Sequence, residues 1–193
     1  MNIILASQSP RRIELLKSIH IEFESINSNI NENKYSFINQ PSQYCIKLAE
    51  LKASTVLSQY NDSIIIGADT IVYFDKKILG KPKDANEAYN TLKLLSNNTH
   101  FVYTGVSIKT KKYSFKFYDK TSVSFYPITN KIIKYYINHF NPFDKAGSYG
   151  IQDWSKVFIR NINGCYYNVM GLPIAKLYKS INDNKILKKL INL

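Results

Sequence analysis

A mixed α/β sheet with helices on its faces, opening into two lobes around a cleft, is the architecture that three features of this sequence predict. Strand-like and helix-like segments alternate from the first residues onward. The continuous apolar run Ile64 to Ile66 suits a strand buried on both faces. Two β-rich stretches, Phe101 to Ser107 and Ser114 to Tyr126, adjoin one another in the second half. With 193 residues, 45% of them hydrophobic, the chain is long enough for one such domain with a sizeable core. Neither an internal repeat nor a low-complexity linker divides it, so residues 1–193 are read as a single domain.

The first element is a strand from Ile3 to Ala6, which breaks into a helix from Pro10 to Ser18. Ser9 can cap that helix, Pro10 suits its first position, and Leu15, Leu16 and Ile19 supply its buried stripe. A strand near Glu22 to Ser25 and a polar loop from Asn27 to Gln40 come next. From Ser42 to about Tyr60 the helical period places Cys45, Leu48, Ala49, Lys52, Ala53 and Val56 on one stripe. The strand Ile64 to Ile66 is expected to end at a turn, Gly67-Ala68-Asp69-Thr70, before a hairpin of Ile71 to Phe74 and Ile78-Leu79 around Asp75-Lys76-Lys77. Asp84 caps a helix to Leu95, Asn130 to His139 is helical, residues 144–152 form a Gly-containing loop, and a final helix follows Leu172-Pro173.

Charge narrows the class of partner without naming one. Twenty-six Lys and Arg against 14 Asp and Glu give a net +12, which favours anions but does not separate nucleotides from nucleic acid or anionic lipid. Much of the excess lies in Lys109, Lys111, Lys112 and Lys116 and in the last helix, where solvated lysine is sufficient explanation. No groove-reading helix or stacking motif stands out, so no specific nucleic-acid partner is expected. Cys45 and Cys165 offer neither a metal-ligand spacing nor a disulfide framework. The first strand begins at once, without a basic leader and apolar signal, and no apolar run reaches membrane-spanning length. A cytoplasmic protein without a membrane partner is the expectation, and dimerisation is left open.

Three clusters carry chemistry. In Leu5-Ala6-Ser7-Gln8-Ser9-Pro10-Arg11-Arg12-Ile13-Glu14-Leu15-Leu16, a strand yields two hydroxyls and paired arginines where a helix begins, which makes an anion pocket from free amides and guanidinium groups. Asp69 follows a buried apolar strand, where a carboxylate at the strand end could bind Mg²⁺ or activate water, or could simply form a turn. Gly80-Lys81-Pro82 comes after the same hairpin, and Lys81 could reach a phosphate, although the residues around it do not make a P-loop. In the third cluster, Asp144 to Gln152, glycines permit close backbone approach and the Gln152 amide can read a base edge. Asp144 and Lys145 there are equally readable as a structural ion pair or as part of the chemistry. Glu32 and Lys52 complete the set of candidate ionisable groups.

Taken in order, these segments resemble the Maf family of nucleotide pyrophosphatases, historically called septum formation inhibitor-like proteins. The matching pieces are Leu5 to Leu16, Leu48-Ala49 with Lys52-Ala53, Gly67 to Val72, Ile78 to Pro82 with Asp84, Glu87 and Ala88, Thr104-Gly105-Val106, Asp144 to Gln152, and Gly164 with Tyr166 to Pro173. The resemblance implies a fold related to the inosine triphosphate pyrophosphatases, an elongated sheet with two lobes around the substrate cleft. It also implies hydrolysis of a nucleoside triphosphate to monophosphate and pyrophosphate with a divalent cation, Mg²⁺ or Mn²⁺, in a house-cleaning role against non-standard nucleotides. Arg11, Thr70 and Gln152 resemble the set of the branch acting on dTTP and UTP rather than the 7-methyl-GTP branch.

On this reading Asp69 positions and deprotonates the water, or binds the metal directly while another group is the base, Glu32 helps hold the metal, and Arg12, Lys52 and Lys81 grip the phosphates, with Ser7 and Ser9 donating hydrogen bonds and Lys145 among the substrate-binding residues. Arg11, Thr70 and Gln152 stand closer to specificity. The chain departs from the family pattern at Asn141-Pro142, where an acidic residue usually precedes the proline, and at Asp153-Trp154, where glycine commonly follows the glutamine. The competing reading is a nucleotide-sensing protein of cell division, or a nucleic-acid-binding module, without turnover.

Overall fold

The computed structural model describes residues 1–37 and 40–191. Its strands are β1 (Ile3–Leu5), β2 (Glu24–Ser25), β3 (Ile64–Phe74), β4 (Lys77–Leu79), β5 (Thr99–Lys109), β6 (Ser114–Phe125) and β7 (Ile159–Asn163). Its helices are α1 (Pro10–Lys17), α2 (Pro41–Leu57), α3 (Ala85–Leu95), α4 (Asn130–Phe140), α5 (Tyr166–Met170), α6 (Ile174–Asp183) and α7 (Lys185–Ile191). The strands form one mixed sheet in the order β2-β1-β3-β5-β6-β7, with β4 beside β3.

The central finding corrects the expected turn at Gly67 to Thr70. Residues 64–74 are one unbroken strand of 11 residues, so Asp69 lies in mid-strand. Antiparallel pairing with β5, from Ile65↔Lys109 to Tyr73↔Phe101, holds it straight through the expected turn. The other edge of β3 is served by two different strands: parallel β1 covers residues 64–66 and antiparallel β4 covers residues 72–74. Residues 67–71 between them have no ladder partner on that edge. The hairpin to β4 turns on Asp75 and Lys76, both at positive φ (46° and 60°), as a tight two-residue connection demands.

Side chains of β3 alternate between the two faces. Ile64, Ile66 and Ala68 join Leu15, Leu16, Leu172 and Leu177 in one apolar cluster, while Val72 joins Leu92, Leu95, Ile133 and Phe125 in a second. These clusters are the cores of the two lobes. On the opposite face, Ile65 packs with Ala53 and Val56 of α2. That helix lies against the sheet backbone: a Cβ at Gly67 would strike the Ala49 carbonyl oxygen, and one at Gly105 would strike the backbone of Cys45.

Local signals placed several boundaries well and others less so. Asp84 accepts from the Glu87 amide at 2.8 Å, and the Glu87 carboxylate accepts from the Lys83 amide at 2.7 Å, which closes the start of α3 reciprocally. Ser9, by contrast, makes no side-chain cap on α1; its amide donates instead to Ser7 Oγ at 3.2 Å. The expected final helix is two, α6 and α7, and β7 and α5 precede them. In the loop from Asn27 to Gln40, residues 38 and 39 lie outside the described residues, and Glu32 opens a 3-10 turn, Glu32–Lys34.

The close seating of α2 makes a testable demand. Gly105→Ala should lower the unfolding free energy by about 1–3 kcal/mol through overpacking. Gly80→Ala, where an added Cβ meets nothing within 4 Å, should change it by less than about 0.5 kcal/mol. Urea denaturation of both variants checks the contrast, and equal effects would show that α2 can lift away at little cost.

Candidate active site

The interruption on the edge of β3 opens into a cleft of about 1050 Å³, walled by the β1–α1 turn, the loop before α2, the end of β4 and residues 144–152. Ser7, Ser9, Arg11, Arg12, Glu32, Lys52, Asp69, Thr70, Lys81, Lys145 and Gln152 all line it. Side chains separated by more than a hundred residues thus share one space. Asp69 and Thr70 leave β3 toward opposite faces of the sheet, as neighbours in a strand must, so the two walls of the cleft present different chemistry.

Asp69 is on the α2 side. Its carboxylate accepts a 2.5 Å hydrogen bond from Lys52 Nζ, which also sits 2.8 Å from Glu32. Asp69 and Lys52 are 6% and 11% exposed at their side chains and Glu32 is 49% exposed, so the charge cluster runs from the interior to the cleft mouth. Burial pushes the Asp69 carboxyl above the usual carboxylate range, with Glu32 adding to it and Lys52 and Arg12 opposing. Burial acts on Glu32 in the same sense, but there the Lys52 ammonium wins and holds the carboxyl below its ordinary value. The two carboxylates are therefore tuned apart. Both are hard oxygen donors of the kind Mg²⁺ or Mn²⁺ takes, and both are engaged by the Lys52 ammonium; among the described residues no group of three or more His, Cys, Asp or Glu is placed to hold a metal ion.

Arg12 is on the other side. Its Nε donates to the Gly171 carbonyl at 2.7 Å, Nη1 to Ser7 Oγ at 3.2 Å and Nη2 to Thr70 Oγ1 at 3.0 Å. Of five guanidinium N–H bonds, three are thereby held and two remain, the number a bidentate oxyanion contact uses. Burial pulls the Arg12 pKa down, Asp69 partly offsets it, and the guanidinium stays charged. Ser7 Oγ accepts from both Arg12 and the Ser9 amide, so its own O–H is free to donate.

Arg11 and Lys145 approach Asp144 from the two lobes, at 2.9 and 2.6 Å, and Asp153 stands 3.3 Å from Lys145 on its far side. Burial opposes the charge on Asp144, but Lys145 and Arg11 outweigh it and hold the carboxyl low. Lys145 is likewise raised by Asp144 and Asp153 against its own burial. In this form of the cleft Arg11 and Lys145 spend their charge on Asp144. Lys81 is exposed at the end of β4, with no ion-pair partner among the described residues. Gln152 has a buried Oε1 without a hydrogen-bond partner among the described residues, an acceptor waiting for a donor.

Sequence reasoning found every charged residue of this cleft but gave no site role to Thr104 and Asn168, which back the Arg12 wall, although both lie in segments that carry the family resemblance. A threonine within a β-rich stretch reads as an ordinary strand former, and nothing local marks it as a partner of Thr70.

Comparison with known proteins shows the family of the chain. Residues 2–184 match the family described as Maf-like protein. A dTTP/UTP pyrophosphatase of Carboxydothermus hydrogenoformans is 46% identical over 185 residues, covering 95% of this chain and 98% of that one. One from Bacillus cytotoxicus is 47% identical over 180 residues, covering 93% and 94%. Among solved structures, a HAM1 protein from Coxiella burnetii aligns over 95% of this chain and 100% of its own with a TM-score of 0.52 and 12% identity, a likeness of fold alone.

The buried pair gives a pH-dependent prediction. In Lys52→Met, Asp69 loses its cation and its pKa rises further, so its contribution to stability is intact at acid pH, where it is protonated, and is lost as pH rises through the folded value. The destabilisation relative to the parent chain should therefore grow from pH 4 to pH 8, reaching about 3–5 kcal/mol, and Lys52→Met/Asp69→Asn should recover part of it. Thermal melts across that range provide the measurement; a gap independent of pH would show that the two groups are not energetically coupled.

Proposed function

Because this chain belongs to the Maf-like protein family, we propose that the cleft hydrolyses the triphosphate of dTTP and UTP to the nucleoside monophosphate and pyrophosphate. The observation that carries this reading is the buried Asp69 carboxylate held 2.5 Å from Lys52 in a cleft that Arg11, Arg12, Lys81 and Lys145 also line. Water attacks the α-phosphorus, a new P–O bond forms, and the bond to the bridging oxygen breaks with pyrophosphate as the leaving group. Asp69 takes the proton of the attacking water. Burial raises its pKa, which makes it a stronger base than an exposed aspartate.

Arg12, Lys81, Ser7 and Ser9 bind phosphate oxygens, and Lys52 keeps Asp69 oriented and adds positive charge. A triphosphate entering the cleft competes with Asp144 for Arg11 and Lys145, bringing both lobes onto the ligand. Glu32 and Asp69 would hold a divalent cation, which neutralises charge on the phosphates when bound. The unpaired Gln152 Oε1 suits the imide N–H of thymine or uracil, and the amide N–H₂ of the same side chain can donate to an adjacent carbonyl of the base. A house-cleaning role and a cytoplasmic setting accord with this chemistry, and no helix among the described residues is long and apolar enough to cross a membrane.

Asp69→Asn should lower kcat for dTTP by about 10²–10⁴-fold while the protein still folds and binds nucleotide. In the parent chain, kcat/KM should fall as pH drops through a value above the ordinary aspartate range, and Lys52→Gln should move that limb to higher pH. Pyrophosphate release from dTTP, UTP, CTP and 7-methyl-GTP provides both measurements. Full turnover by folded Asp69→Asn would remove Asp69 from the chemistry.

A further inference from the structure

The wall behind Arg12 contains a hydrogen-bond chain whose direction can be assigned. Arg12 can only donate, so Thr70 Oγ1 accepts from it at 3.0 Å. Thr104 Oγ1 donates to the Asn168 carbonyl at 2.9 Å, which uses its single proton. At the 3.0 Å contact between the two hydroxyls, Thr70 is therefore the donor and Thr104 the acceptor. The order runs one way, from guanidinium N–H to Thr70 O–H to Thr104 O–H to a backbone carbonyl.

The far end is anchored. Asn168 Nδ2 donates to the Val102 carbonyl at 3.0 Å and to Thr121 Oγ1 at 2.9 Å, which ties the start of α5 to β5 and β6. Thr104, Thr121 and Asn168 are completely buried. At full burial water cannot replace these bonds, and an unmet polar atom is costly; of Thr104, Thr121 and Asn168, only Asn168 has one, Oδ1, without a partner among the described residues. The one other acceptor near Thr70, the Gly171 carbonyl, is farther away at 3.3 Å and already takes the Arg12 Nε proton.

We propose that Thr104 is a positioning residue for phosphate binding: by accepting the Thr70 proton it turns a Thr70 lone pair to Arg12 and aims the two remaining guanidinium N–H bonds into the cleft. The inference rests on the reading above that Arg12 grips phosphate. It assigns Thr70 a task distinct from contact with the base, since its proton and one lone pair are already engaged. It also makes a distinction by pH: no member of the chain other than Arg12 is ionisable, so loss of Thr104 weakens binding without displacing the acid limb set by Asp69.

The test compares Thr104→Val, nearly equal in shape, with Thr104→Ser, which restores the hydroxyl. Calorimetric Kd for inorganic tripolyphosphate and kcat/KM for dTTP should each worsen by roughly tenfold to a hundredfold in the valine protein. They should return to within about threefold of the parent chain in the serine protein, with an unshifted pH profile throughout. In an Arg12→Lys background, Thr104→Val should add less than about twofold, because the guanidinium it positions is gone. Should valine prevent folding, Thr104→Cys serves in its place with the same expected loss. Parental tripolyphosphate affinity in a folded valine or cysteine protein, or an undiminished loss in the Arg12→Lys background, would overturn the proposal. A parent chain that binds tripolyphosphate but leaves dTTP intact would overturn the pyrophosphatase reading, and the binding comparison would still decide the role of Thr104.

Discussion

Everything distinctive about this molecule depends on the edge of one strand being shared. β3 is held along its full length by β5, while its other edge is taken first by β1 and then by β4. Because one neighbour ends before the other starts, residues 67–71 keep strand geometry without a partner on that side. A strand so placed is rigid yet accessible, a combination that a loop cannot offer. Asp69 and Thr70 inherit that rigidity, and the alternation of side chains sends one to each wall of the cleft.

The two walls then divide the electrostatic work. On the α2 side, a buried carboxylate is made more basic by desolvation and kept oriented by one ammonium group. On the other side, a guanidinium is strapped by a carbonyl and two hydroxyls and left with donors to spare. Neither wall depends on the large net charge of +12, much of which belongs to lysines away from the cleft. The close seating of α2 on Gly67 and Gly105 links fold to chemistry here, since it fixes the depth at which Lys52 meets Asp69.

The sequence disclosed the charged groups because their residue types are costly to place without reason beside apolar runs, as with Arg11 and Arg12 at a helix start. It also disclosed the α/β order and the two-lobed sheet, which periodicity and turn residues encode locally. The continuity of β3 was not legible: Gly67 and Asp69 look like turn residues, and only pairing with β5, nearly forty residues away in the chain, overrides that signal. The missing Ser9 cap was not legible either, since a serine before Pro10 signals only that a side-chain cap is available, not that its hydroxyl takes that role. Thr104 and Asn168 drew no site role because a buried hydroxyl or amide acquires meaning from partners that sequence spacing does not reveal. Asp144 proved to be a meeting point for Arg11 and Lys145 rather than a simple neighbouring pair.

The two outer strands of the sheet carry a different consequence. On one side the sheet ends in β2, only two residues long, and on the other in β7, where Arg160, Asn161 and Asn163 are exposed. Short, polar borders offer little template for another chain to add a strand, whereas residues 114–121 of β6 extend past β7, which pairs only with residues 122–125. That stretch carries the exposed Lys116 and Lys120, charged side chains of the kind that discourage strand addition at an open edge.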